Sequence, residues 1–178
     1  MAKGKASSSR TLVALLRAVN VGGTGKLAMR DLAALCTRAG FTDVRTYIQT
    51  GNVVFRSPLT EAEAEQQLER ALARHMGGPV DVMIRTAEEL RRVVRDNPYP
   101  AATPSRLYVF FSDEPAPAAP LEALNGPDGE TAVPRGREVY IHYPAGMGAS
   151  KLKLPKWPGP VTSRNMNTVT KLAAMCDE

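Results

Sequence analysis

VRTYIQTGNVVFRS, residues 44–57, reads as two strands folded back on each other: VRTYIQ at 44–49 and NVVFRS at 52–57 are β-branched and aromatic, and Thr50-Gly51 between them marks a tight reversal. What flanks this hairpin decides the fold. Upstream, TLVALLRA at 11–18 is apolar enough for a strand buried on both faces, and the glycine-rich NVGGTGK breaks it. A helix follows, with Met29, Leu32, Leu35, Cys36 and Ala39 at helical spacing, Asp31 in its first turn and Gly40 as its C′ stop. Downstream, Thr60 opens TEAEAEQQLERALARHM, which carries Ala64, Leu68, Ala71, Leu72 and His75 on one stripe. Glu61 and Glu63 lie at its start and Arg70 and Arg74 near its end, as the helix dipole favours. Gly77-Gly78-Pro79 ends it, and PVDVMIR at 79–85 alternates as a strand. The order β-α-β-β-α-β is the split βαβ, or ferredoxin-like, unit.

The chain then starts over. Thr86 caps a connector helix, AEELRRVVRDN, that Pro98 and Pro100 terminate. RLYVFFS at 106–112 is a strand, DEPAPAAP leads to an apolar turn around Leu121 and Leu124, and GETAVPRG with REVYIHYP forms a hairpin. Thr162 or Ser163 caps a final helix through Val169, Thr170, Leu172, Ala173 and Cys176, giving β-α-β-β-α. The expected architecture is α+β: two ferredoxin-like halves, with antiparallel sheets and helices on one face. Residues 1–10 are expected as a disordered tail, 11–85 as the first half, 86–104 as a helical connector and 105–178 as the second half. Sheet faces in such units can stay open, and open faces bind ligands or other chains.

With 178 residues, 43% hydrophobic and 23% charged, the chain is an ordinary globular one, long enough to bury roughly 70% of its unfolded surface. No apolar run is long enough for a membrane span or a secretion signal, which predicts a cytoplasmic protein without a membrane partner. The net charge of +5 is unevenly spread. Residues 1–30 hold six cations and no acid, residues 139–176 hold five cations and no acid, and the middle, 31–138, sets 12 cations against 16 acids. Two basic ends around an acidic middle suggest an anionic ligand held by the ends.

Signatures of catalysis are missing. There is no HExxH, no GxSxG and no cysteine and histidine at metal-ligand spacing, so neither a metal nor a cofactor is expected. Cys36 and Cys176 fall on helical stripes as small core residues, and a cytoplasmic setting keeps them reduced. His75 and His142 read as structural histidines, with His142 sharing a strand face with Tyr140. Two polar clusters remain. The strand-to-helix loop Asn20-Val21-Gly22-Gly23-Thr24-Gly25-Lys26 offers backbone N–H groups to a phosphate, but Asn20 and Leu27 stand where a P-loop needs glycine and a hydroxyl. Ser163, Arg164, Asn165, Asn167, Thr168 and Lys171 crowd one expected helix start, more than capping needs, with Ser150, Lys151 and Lys153 in the hinge before it.

RAVNVGGTGKLAM, GFTDVRTYIQTGNVVF, GREVYIHYPAGMGASKL and TSRNMNTVTKL together resemble the bacterial domain-of-unknown-function family 1697, over residues 11–175. The resemblance implies a cytoplasmic α+β protein with ferredoxin-like halves and no established activity. Arg17, Asn20, Gly22 and Gly23 match its first motif, Gln49, Gly51 and Asn52 the second, Ser150 and Lys151 the third, and Arg164, Asn165, Asn167, Thr168 and Lys171 the last. Ala18 stands where the family usually has glycine and Met166 where it usually has tryptophan. Trp157 lies in a shortened, proline-rich segment.

The reading that follows is a binding module for an anionic, phosphate-bearing ligand, either a small molecule or single-stranded nucleic acid. Its candidate residues are Arg17, Asn20, Gly22, Gly23, Lys26, Gln49, Asn52, Ser150, Lys151, Arg164, Asn165, Asn167 and Lys171. Two alternatives stand beside it. One is a small enzyme on a phosphorylated or carboxylated metabolite, oriented by Arg17, Gln49, Asn52 and Lys151. The other is a ligand-free homo-oligomer using an open sheet face.

Overall fold

The run Leu12–Leu16 contains no polar side chain, and the strand it builds, β1 (Arg10–Leu16), is buried from Leu12 to Leu16. In the computed structural model, which describes residues 8–23 and 25–178, the chain divides into a first unit ending at Glu89, joined by Met175–Glu178, and a second unit of Leu90–Ala174. Most of the stretch expected as a tail, residues 1–7, lies outside the described residues, while Arg10 is already paired with Ser57.

The first unit runs β1, α1 (Met29–Arg38), β2 (Thr42–Tyr47), β3 (Asn52–Ser57), α2 (Glu61–Met76), β4 (Val82–Thr86), with sheet order β2-β3-β1-β4 and all neighbours antiparallel. That is the ferredoxin-like arrangement. The register pairs Leu12 with Phe55, Ala14 with Val53 and Ile84, and Leu16 with Val82, which sets these side chains on one face. They pack with Leu32, Leu35 and Cys36 of α1 and Ala64, Leu68 and Leu72 of α2. Helix α2 starts with a capping box, in which Thr60 Oγ1 accepts from Glu63 N while the Glu63 carboxylate accepts from Thr60 N, and ends at Gly77 in the left-handed region. Val13, Leu15, Val54 and Met83, at the alternate positions, are fully buried as well. Apolar residues stand at both parities of β1, the pattern of a strand buried on both faces.

Two strands shift from their expected limits. Asp43 takes φ 48° at a register slip between Thr42 and Arg45, and Ile48 takes φ 45°, so that β2 stops at Tyr47 and residues 48–51 make the reversal. Strand β4 begins at Val82 rather than at 79.

Helix α3 (Ala87–Arg95) crosses the division between units. The second unit continues with a short 3-10 turn at Pro104–Arg106, β5 (Leu107–Ser112), α4 (Ala118–Glu122), β6 (Thr131–Arg135), β7 (Glu138–His142), β8 (Val161–Asn165) and α5 (Met166–Met175), with sheet order β6-β7-β5-β8. This reproduces the strand order of the first sheet. Irregular residues 143–160 stand in the place of its second helix, and Leu152, Leu154 and Trp157 from them join Phe110, Val139, Ile141 and Tyr143 in the core. On the opposite face, the Tyr140 hydroxyl donates to the Val93 carbonyl of α3 at 2.6 Å. Strand β8 corrects the expected helix start at Thr162 or Ser163. VTSRN has hydroxyls and an amide that favour caps in sequence, yet it pairs with β5, Phe110 opposite Ser163 and Val109 opposite Arg164, as a polar edge strand.

Candidate anion-binding site

The two loops of the first unit that carry expected ligand residues are held together by one side chain. Asn20 Nδ2 donates to the carbonyls of Leu27 (2.7 Å) and Gln49 (2.8 Å), its Oδ1 accepts from Leu27 N (2.8 Å), and its own N–H donates to Gly25 O (2.9 Å). Every donor of the carboxamide is spent on the protein. Asn52 is fully buried, its Nδ2 donating to Tyr47 O and Thr50 Oγ1, which shapes the 48–51 reversal. Both asparagines expected as ligand residues hold loops through their side chains. Gly22 and Gly23 are exposed at φ 59° and 75°, and Lys26 and Gln49 are exposed on the rim. Arg17 lines a small pocket of about 250 Å³, but Asp81 lies 3.5 Å away on the same wall and matches its charge.

In the second unit, the expected cationic helix start dissolves in a similar way. Arg164 is buried in β8, donating to Thr162 Oγ1 (2.7 Å) and Ser163 O (2.9 Å), and burial pushes its guanidinium down to about 10. Both of these partners belong to its own strand. Asn165 Oδ1 accepts from Thr168 N at 3.0 Å and so caps α5. The Ser150 hydroxyl donates to Glu130 Oε1 at 2.7 Å and accepts from Leu152 N at 3.2 Å, anchoring the irregular segment to a buried carboxylate. That bond holds the Glu130 carboxyl below the usual carboxylate range. Asn167 and Lys171 lie exposed one turn apart on α5, and Lys151 is exposed. Trp157 does not offer a ring to a ligand. It stacks on Phe110 with centroids 6.0 Å apart, its indole N–H buried without a hydrogen-bond partner.

A cationic groove lies instead in the acidic middle of the sequence. Helices α1 and α2 flank a groove of about 580 Å³ lined by Arg38, Gln67, Arg70, Arg74 and His75 over a floor of Leu35, Ala39 and Ala71. No carboxylate is on its wall. The Gln67 amide donates to the Ala39 carbonyl, tying the end of α1 to α2, and Arg70 Nε donates to Gln66 O at 3.3 Å. Among the described residues, none of the three guanidiniums forms an ion pair. His75, expected on the buried stripe, is exposed and faces this groove.

Charge counting along the chain hides this wall because Glu61, Glu63, Glu65 and Glu69 sit in the same helix. A helical-face count reveals it. The residues three and four positions from Arg70 are Gln66, Gln67, Ala73 and Arg74, those before Arg74 are Arg70 and Ala71, and those around Arg38 are Ala34, Leu35, Phe41 and Thr42. No carboxylate stands within helical reach of any of the three. Such guanidinium forks suit oxyanions, above all phosphate. Among the described residues no group of three or more potential metal ligands gathers, and no helix is long and apolar enough to cross a membrane.

The fold and this groove define an α+β protein of two ferredoxin-like halves whose first half bears an arginine wall on its helical side. The profile of the family described as "Protein of unknown function (DUF1697)" matches residues 10–140, and the chain belongs to that family. Its fold is similar to that of a conserved bacterial protein, SP0830 from Streptococcus pneumoniae, with a TM-score of 0.76 at 23% identity over 95% of this chain and 99% of that one. No curated protein matches the sequence.

Proposed function

We propose that the protein is a cytoplasmic binding module for an anionic, phosphate-bearing ligand held in the groove between α1 and α2. The observation that carries this reading is the convergence of Arg38, Arg70 and Arg74 on one concave wall that has no carboxylate. Like charges gathered without counter-charge repel one another, and a bound anion relieves that repulsion. Arg38 and Arg74 also lie in the last turns of their helices, where the dipole favours cations and disfavours an anion by roughly 0.3–1 kcal/mol. Charge-assisted hydrogen bonds are worth about 1.5–3 kcal/mol each, so two or three guanidinium contacts outweigh the dipole.

The test is thermal unfolding in potassium phosphate against potassium chloride at matched ionic strength. Phosphate is expected to raise Tm of the unsubstituted protein and of Lys26→Ala, and to lose that effect in Arg38→Ala and Arg74→Ala. Loss of the effect in Lys26→Ala alone would return the site to the glycine loop.

A further inference from the structure

Resting on that reading, we infer that the groove takes an oligophosphate chain, such as a pyrophosphate or triphosphate group, recognised through its phosphoryl groups with no contribution from a base. Three features of the wall lead there. First, Arg70 and Arg74 lie one helical turn apart, about 6 Å along α2, and Arg38 reaches the groove from the other helix. Forks displaced in this way serve successive phosphoryl groups, whereas a single orthophosphate is satisfied by one or two of them. Second, the lining contains no Phe, Tyr or Trp, so nothing is present to stack on a nucleobase, and the apolar floor is only Leu35, Ala39 and Ala71. Third, the cationic wall is short. It occupies the C-terminal half of α2, and a nucleic-acid strand following the helix would meet Glu61 and Glu63 in the first turn. Backbone binding of nucleic acid draws on a longer run of phosphate contacts than three arginines supply. A compact, multiply charged chain fits a local concavity; an extended polyanion does not.

The experiment is calorimetric titration of the full chain, free of magnesium and at fixed ionic strength, with orthophosphate, pyrophosphate, tripolyphosphate, ATP and a duplex oligonucleotide. Tripolyphosphate is expected to bind at least tenfold tighter than orthophosphate, with pyrophosphate between them and ATP within threefold of tripolyphosphate. Arg38→Ala and Arg74→Ala are each expected to weaken tripolyphosphate at least tenfold with an unchanged urea midpoint, and Arg74→Lys to recover only part of the loss, because an ammonium lacks the fork. Equal affinity for orthophosphate and tripolyphosphate, lost in the arginine variants, overturns the oligophosphate assignment and leaves an anion groove. ATP much tighter than tripolyphosphate, or the duplex tighter than either, also overturns it, in favour of base or nucleic-acid recognition. Binding that survives both alanine variants removes the groove itself.

Discussion

Asn20 and Gln49, 29 positions apart in sequence, are joined by a 2.8 Å hydrogen bond from the Asn20 carboxamide to the Gln49 carbonyl. Around this bond the backbone is strained: Ala18, Asn20 and Ile48 occupy the left-handed region at φ 57°, 55° and 45°. For non-glycine residues such conformations cost on the order of 1–2 kcal/mol each and persist only where neighbouring contacts impose them. The three side-chain bonds of Asn20 are that imposition, and they bring the residues of two sequence motifs together as a scaffold.

Asn20→Ala is therefore expected to lower stability by about 2–3 kcal/mol in urea denaturation, since it removes two donated bonds and leaves Leu27 N–H without its acceptor. Asn20→Asp is expected to do no better, because a carboxylate cannot donate to either carbonyl. Affinity for tripolyphosphate should be the same in both variants as in the parent, because the loops do not line the groove. A loss of affinity without a loss of stability would make Asn20 a ligand residue after all.

Two glycines separate packing from conformation. A Cβ on Gly51 would stand 2.6 Å from Val19 Cγ2 and 2.9 Å from Leu16 Cβ, at φ 87°, whereas on Gly22, at φ 59°, it meets nothing within 4 Å. Gly51→Ala should cost roughly 3 kcal/mol or more, from overpacking and conformation together, and Gly22→Ala only about 1 kcal/mol, from conformation. Urea midpoints of the two variants make the comparison, and equal values would show that the Leu16–Val19 contact yields without cost.

The Ser150–Glu130 bond predicts a pH dependence. Glu130 titrates below the usual carboxylate range in the folded chain, principally because Ser150 donates to it. The unfolded chain thus binds this proton first on acidification. The stabilisation is complete above the ordinary carboxylate range and declines as pH falls through the folded value. Ser150→Ala should shrink the drop in stability between neutral and acidic pH, measured as Tm across that range. An unchanged drop would mean that other carboxylates carry it.

The Trp157 indole N–H is buried with no hydrogen-bond partner, while the ring stacks on Phe110. Trp157→Phe keeps a ring in the stack and removes an unpaired donor, so its cost should stay below about 1.5 kcal/mol. Trp157→Ala should cost about 3–5 kcal/mol. Circular dichroism must follow the unfolding, as this is the chain's one tryptophan. A phenylalanine variant as unstable as the alanine one would show that the indole N–H is satisfied in solution.

Where signals are local, the residues spoke plainly. Apolar residues at both parities of β1, the capping box of Thr60 and Glu63, Gly40 past α1 and the hairpin around Gly51 all act between chain neighbours, and they define the first ferredoxin-like half. Strand β8 did not speak, because an edge strand of Thr, Ser, Arg and Asn has no apolar period, and its place is settled by pairing with Phe110 some fifty residues earlier. The candidate site split along the same line. Asn20, Asn52, Ser150 and Arg164 are polar residues whose partners lie inside the protein, and residue type alone does not distinguish a side chain that binds a ligand from one that binds its own backbone.

The sequence by itself determined the class of fold and the capped, amphipathic helices, since periodicity and caps are short-range properties of the chain. Only the tertiary structure decided where the uncompensated charge lies. Arg38 comes from one helix and Arg70 and Arg74 from another, and packing both helices on the same sheet face sets the three guanidiniums along one groove. Electrostatic fields add in space and fall with distance, so a segment with more acids than bases still presents a positive groove.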